Sequence, residues 1–196
     1  MKDIMVILLM VFLSFSLLGA DVHAGKATPA KGDLFPQISL DAPEKEGARE
    51  YLGLTGKGPF SISEIKADLL VIEIFSMYCP YCQKEAPIVN DLFNVISQKP
   101  ALKDRVKIIG IGAGNTPFEV DVFRNKYDIR FPLFSDESFS VHEAVGEVRT
   151  PYFFVLRRSA DGSERVIYSK VGTIHDPNLF LDIIVKEAGL QKEGNR

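Results

Sequence analysis

The chain has 196 residues, 46% of them hydrophobic and 25% charged, which is enough for one globular domain with its own core. A net charge of −3 offers no basic surface to nucleic acid, and there is no internal repeat or low-complexity tract. Tryptophan is absent, and the only two cysteines are Cys79 and Cys82.

In chain order, the first feature is Ile4 to Leu18, apolar throughout except for Ser14 and Ser16. A membrane-spanning helix needs roughly 20 such residues, so the run is short for a span and suits the core of a secretory signal. Lys2 precedes it, with Asp3 weakening the positive start, and Val22-His23-Ala24 supplies small residues at the positions a signal peptidase reads. Cleavage before Gly25 is therefore expected, leaving residues 1–24 as a signal peptide. The alternative is an uncleaved leader, the only way this chain is expected to meet a membrane. No cysteine follows Leu17-Leu18-Gly19-Ala20, so a lipoprotein anchor is excluded. In either case the rest of the chain is expected in a periplasmic or otherwise extracytoplasmic compartment, where a disulfide persists.

Residues 25–33 read as a small, polar linker, residues 34–190 as the folded domain and residues 191–196 as a polar tail. Leu34 to Leu40 is predicted as a first short strand, whereas Asp41 to Gly58 has no assignable pattern. Ser61-Ile62-Ser63-Glu64 has capping-box spacing and predicts a helical turn over Ser63 to Ala67. Leu69 to Phe75 is apolar apart from Glu73, the pattern of a strand buried on both faces. Pro80 to Ser97 has helical spacing with Pro87 inside it. Arg105 to Ile111 is a strand closed by Gly112 and Gly114. Thr116-Pro117 opens a helix through Tyr127, Phe131 to Phe134 is a brief strand, and Ser138 to Val145 is a short helix. Tyr152 to Leu156 and Val166 to Val171 flank Asp161-Gly162 as a hairpin. Pro177 to Ala188 is a terminal helix with Gly189 beyond its end. This order predicts parallel strands joined by helices, plus one antiparallel pair.

The two cysteines sit where a buried strand gives way to a helix. A helix starting at Cys79 gathers its unpaired N–H groups around that sulfur, and its positive end favours a thiolate. Cys82 shares the same helix face three residues on, at a separation that fits a disulfide. Cys79 at the exposed tip is the candidate attacking thiol, and Cys82, one turn inside, the candidate resolving thiol. Two other readings stand beside this one. Zinc wants four ligands and finds only His142 and His175, isolated and far downstream. A purely structural disulfide would close too short a loop to constrain the unfolded chain much. Neither a metal nor a cofactor is expected. Gly110, Gly112 and Gly114 miss the dinucleotide fingerprint, and Gly56-Lys57 misses the phosphate loop.

The stretch Ile74-Phe75-Ser76-Met77-Tyr78-Cys79-Pro80-Tyr81-Cys82, with Pro87 five residues later, resembles the active-site strand and helix of the thioredoxin-like superfamily. Thr150-Pro151, just before a strand, resembles that family's cis-proline loop. The leader, the extra residues between Gly112 and Phe131, and Phe139-Ser140-Val141 with its preceding Phe134-Ser135-Asp136-Glu137-Ser138 resemble the TlpA/ResA branch of extracytoplasmic thiol–disulfide oxidoreductases. Two residues depart from the pattern. Tyr78 replaces the usual tryptophan, and Pro80-Tyr81 is a glutaredoxin-type dipeptide.

The resemblance implies an α/β thioredoxin-like fold: a central mixed sheet flanked by helices, an N-terminal strand extension, and an insertion before the cis-proline loop. It implies a protein-disulfide reductase whose partners are protein thiols and disulfides and a membrane or soluble thiol electron donor. It places Tyr78, Pro80, Tyr81, Thr150 and Pro151 against substrate. Glu73, six residues before Cys79, falls where thioredoxins keep a buried acid that exchanges a proton with the resolving thiol. A carboxyl in a buried strand is costly to ionise, so its pKa should rise. The bland alternative is a strand residue whose carboxylate reaches water. A trans proline starting a strand is the corresponding alternative for Pro151. Two other functions remain: a peroxiredoxin-like thiol peroxidase, and a binding or chaperone domain with an idle disulfide. Ser76 has peroxidase spacing, but position 72 is Ile where that family carries proline.

Overall fold

The computed structural model describes residues 26–159 and 161–190. The predicted leader and the C-terminal tail lie outside the described residues.

Five strands form the main sheet: β3 (Leu69–Phe75), β4 (Val106–Ala113), β5 (Leu133–Asp136), β6 (Tyr152–Arg158) and β7 (Glu164–Val171). Their spatial order is β5-β4-β3-β6-β7. β3, β4 and β5 run parallel, while β6 is antiparallel to both β3 and β7. Helices α2 (Pro80–Ser97) and α3 (Pro117–Lys126) make the two parallel crossovers. Helix α4 (Ser140–Ala144) leads to β6, and α5 (Pro177–Glu187) ends the domain. The expected mixed sheet with flanking helices is what the chain forms.

β3 lies at the centre because all seven of its residues are apolar or, in the one case of Glu73, tolerated as buried. Strand alternation sends Leu69, Val71, Glu73 and Phe75 to one face and Leu70, Ile72 and Ile74 to the other. The first face packs against Cys82, Val89 and Leu92 of α2 and Leu181 and Ile184 of α5. The second packs under the N-terminal extension, through Phe35, Leu52, Phe60 and Ile62. Glu73 therefore faces the layer that carries the cysteines.

The extension differs from its predicted form. Leu34 to Leu40 is not one strand: Leu34 makes an isolated antiparallel bridge to Arg165, and only β1 (Ser39–Leu40) pairs, with β2 (Phe60–Ser61). Pro36 between them has no N–H to offer a ladder. The unassigned stretch contains α1 (Glu46–Leu52), which buries only Leu52 and ends at Gly53 in the left-handed region, φ 70°. A helix with so little apolar periodicity is held by tertiary contacts, such as Tyr51 accepting the Ile108 N–H at 2.7 Å. The predicted turn at Ser63 is a 3-10 turn, Ile62–Glu64, and Ser61 and Glu64 do form the reciprocal cap. Residues 26–33 run along the sheet: Gly32 N–H donates to Val166, and Ser169 donates to the Pro29 carbonyl at 2.7 Å.

β4 continues through Gly112 rather than stopping before it. Gly112 pairs with Phe75 and Ser135 in the ladder, and glycine suits it because a Cβ there would sit 3.0–3.1 Å from the Asn115 side chain and a Val120 methyl. Helix α4 is shorter than predicted because Phe139, before its first residue, has φ 60°. The hairpin strands are longer, joined at the tip by an Arg158–Glu164 ion pair at 3.1 Å.

Candidate active site

Helix α2 begins at Pro80, and Cys79 is its N-cap, with φ −80° and ψ 116°. Proline suits that first turn because the missing donor would be unpaired anyway. The approach to Cys79 is held on both sides: Met77 N–H donates to the Asn115 side chain at 2.9 Å, and Gln83 donates to the Met77 carbonyl at 2.8 Å. Cys79 N–H closes the turn onto Ser76 O at 3.0 Å. Cys79 is partly exposed and Cys82 is buried, and both are free thiols.

The Thr150–Pro151 bond is cis. Cys79 Sγ lies 3.3 Å from the Thr150 carbonyl oxygen, so two segments 71 positions apart meet at this sulfur. Burial acts to raise the Cys79 pKa, but hydrogen bonding with Thr150 and with the backbone amides of Cys82 and Tyr81 outweighs it, and the thiol is held below its ordinary value. The Cys82 thiol is pushed well up by burial, and a charge on Glu73 would push it the same way. The pair is thus polarised in the sense that helix geometry predicts: the outer thiol ionises more easily than an ordinary cysteine and the inner one less easily.

Glu73 is 3% exposed, and its Oε1 has no hydrogen-bond partner. Burial first, then Glu85 and Cys79, raise its carboxyl to about 8. Glu85 was not singled out from the sequence. It sits on α2 three residues after Cys82, fully buried, with Oε1 accepting the Ile174 N–H at 2.5 Å and Oε2 unpartnered. Burial lifts it to about 7. Two carboxyl groups thus share the layer beneath the dithiol. The spacing Cys82-x-x-Glu85 was the available signal, since it repeats the face that carries Cys79 and Cys82. Asn115, also buried and also missed, has no comparable signal beyond its place after the Gly112-Ala113-Gly114 turn.

Tyr78 and Tyr81 are exposed beside the thiols. The Tyr78 hydroxyl donates to Glu119, a carboxylate that also caps α3. Among the described residues, no group of three His, Cys, Asp or Glu side chains could hold a metal ion.

A thioredoxin fold with a Cys-x-x-Cys dithiol at a helix N-terminus, facing a cis-proline, defines the class of this molecule. The sequence pattern of the AhpC/TSA family matches residues 32–168, and the chain belongs to that family. The thiol-disulfide oxidoreductase ResA of Bacillus anthracis is 28% identical over 138 residues, covering 67% of this chain and 70% of that one. ResA of Geobacillus thermodenitrificans is 23% identical over 185 residues, 94% of each chain. The thioredoxin domain of a thiol-disulfide oxidoreductase from Bacteroides vulgatus superposes with a TM-score of 0.59 at 12% identity, covering 80% of this chain and 99% of that one.

Proposed function

We propose that this chain is an exported thiol–disulfide oxidoreductase that reduces disulfides in other proteins through Cys79 and Cys82. The observation that carries the reading is the Cys79 sulfur at a helix N-terminus, 3.3 Å from the Thr150 carbonyl and backed by a buried second thiol. An extended substrate can pair with the backbone at Thr150, which brings its disulfide to Cys79. Tyr78, Pro80, Tyr81 and Pro151 then form the walls it meets.

The Cys79 thiolate attacks one substrate sulfur, the substrate S–S bond breaks, and the departing thiolate takes a proton from solvent. Cys82 gives its proton to the Glu73 carboxylate and attacks Cys79 Sγ. The Cys79–Cys82 disulfide forms, the second substrate thiolate leaves, and the substrate has gained two electrons. A thiol donor, in solution or in a membrane, reduces the pair again.

The surroundings of Cys79 support the reducing direction. A strong oxidant needs its outer thiolate held so well that the disulfide is disfavoured. The nearest cation in sequence is Lys84, exposed on the body of α2. A charge on Glu73 would disfavour the Cys82 thiolate as well. Pro80-Tyr81 pulls toward the glutaredoxin range of about −200 to −230 mV, against thioredoxin's roughly −270 mV. Equilibration with glutathione buffers should give a potential within or below that span, and the reduced protein should precipitate insulin by cleaving its disulfides. A potential near about −120 mV would make it an oxidase. Rapid hydrogen peroxide consumption without insulin reduction would turn the reading to the peroxidase.

Export rests on the leader. The mature protein should begin at Gly25, with the mass of residues 1–24 missing. An intact N-terminus recovered in a membrane fraction would replace cleavage with anchoring.

A further inference from the structure

Beside Cys79 runs an open groove of about 570 Å³ whose walls include Ser76, Tyr78, Gly114, Phe139, Val148 and Thr150. Disulfide exchange as written above uses only its Thr150 and Tyr78 edge and gives no part to Phe139. Its inner wall is Thr150, whose carbonyl meets Cys79 Sγ at 3.3 Å, so groove and reactive sulfur are continuous.

Phe139 is placed there by an unusual arrangement. Its φ is 60°, in the left-handed region that a bulky side chain rarely adopts. Its ring lies over Gly114, where a Cβ would fall 2.2 Å from Phe139 Cζ, and Gly114 itself has φ 64°. Both loops thus adopt backbone conformations that admit this one ring. The turn is pinned by Asp136, whose oxygens accept from Ser140 Oγ, the Val141 N–H and the His142 N–H at 2.8–3.1 Å. The His142 ring packs edge-on to Phe139 at 5.7 Å and bonds the Val148 carbonyl at 2.8 Å. Despite this support, Phe139 remains 45% exposed, so the fold does not use it as core. Backbone strain maintained around an exposed apolar side chain is an observation from which function is inferred. Tyr78 lines the groove as well, its hydroxyl tethered to Glu119. The charged residues of the lining, Glu147 and Arg149, are exposed.

We infer that the groove between Phe139 and Tyr78 is a side-chain subsite that takes an aromatic residue next in sequence to the cysteine that Cys79 attacks. The inference rests on the thiol–disulfide reading and adds the class of substrate to it. An extended chain drawn to Thr150 directs alternate side chains to one side, and the rings of Phe139 and Tyr78 offer an aromatic guest edge and face contacts.

The test uses two short peptides with one cysteine each, joined by a disulfide to 2-nitro-5-thiobenzoate and differing only in Phe or Ala beside the cysteine. Each turnover oxidises one Cys79–Cys82 dithiol, and releases the peptide thiol and the coloured thiol. The wild-type protein, reduced beforehand with dithiothreitol, should react about fivefold faster with the Phe peptide, the ratio given by an aromatic contact of about 1 kcal/mol. The ratio should fall to about one or two in Phe139→Ala and be kept in Phe139→Tyr. Because each ratio is measured on one preparation, a partly unfolded variant does not distort it. Equal rates for both peptides in the wild type, or an undiminished preference in Phe139→Ala, would overturn the subsite alone. Failure of the wild type to react with either peptide would overturn the exchange reading and the subsite with it.

Discussion

Cys79→Ser is expected to lose disulfide exchange almost completely, whereas Cys82→Ser should stall with substrate covalently attached. Loss of an attacking nucleophile typically lowers rates on the order of 10⁴- to 10⁶-fold. Serine at position 79 keeps the N-cap geometry, but its hydroxyl does not ionise near neutral pH and cannot attack sulfur. At position 82 the consequence is different. The first step proceeds through Cys79, whose thiol is held below its ordinary pKa, and the mixed disulfide then finds no second thiol. Acid quenching and intact mass should show Cys82→Ser heavier by one substrate, and peptide mapping should place the bond at Cys79. Cys82 is fully buried, so a serine hydroxyl there costs roughly 1–3 kcal/mol of stability. Cys82→Ala is the companion that separates a folding defect from a resolution defect. Trapping through Cys82 in the Cys79→Ser protein would invert the two roles.

The parts of this site that could be read from the sequence are those whose signal is local. A buried strand, a cysteine and a proline at a helix start occupy consecutive positions, so β3, α2 and the order of the two thiols follow from patterning and helix physics. The interruption of an apolar run by Glu73 was visible for the same reason. The parts that could not be read depend on tertiary contact. Glu85 looks like any polar residue on a helix until α5 and the Ile174 loop close over it. Helix α1 buries one residue and so has no periodicity to detect. Phe139 looks like a core aromatic, yet its left-handed backbone holds it at the surface. The proximity of Thr150 to Cys79 came only through family resemblance, because no local pattern connects positions 71 apart.

Glu73→Gln should produce the second large effect, on pH dependence as well as rate. In the folded protein Glu73 loses its proton near pH 8, because burial, Glu85 and Cys79 all disfavour its charge, whereas the unfolded chain loses it near 4.5. Between those values the folded state holds more protons than the unfolded state, so stability falls as pH rises from about 4.5 to 8 and levels off beyond. At about 1.4 kcal/mol per pKa unit the penalty at pH 8 is several kcal/mol, shared with Glu85 because the two acids titrate as a pair. Glutamine removes the penalty but leaves a buried amide short of partners, which returns roughly 1–3 kcal/mol of it. Urea unfolding should therefore show Glu73→Gln more stable than wild type at pH 8, with the advantage gone by about pH 4.5. Catalysis should move the opposite way. Cys82 is kept protonated by burial and needs a base before it can resolve the mixed disulfide. A positioned base is typically worth about 10²-fold or more, so resolution in Glu73→Gln should slow by about that factor at pH 8. The wild-type rise in resolution rate near that pH should flatten. Glu85→Gln supplies an internal check: it keeps the acceptor for Ile174 but removes the charge that helps raise Glu73, so the wild-type inflection should shift to lower pH rather than vanish. A resolution rate in Glu73→Gln equal to that of wild type at every pH from 6 to 9 would leave Glu73 as a buried strand residue with no part in the proton transfer.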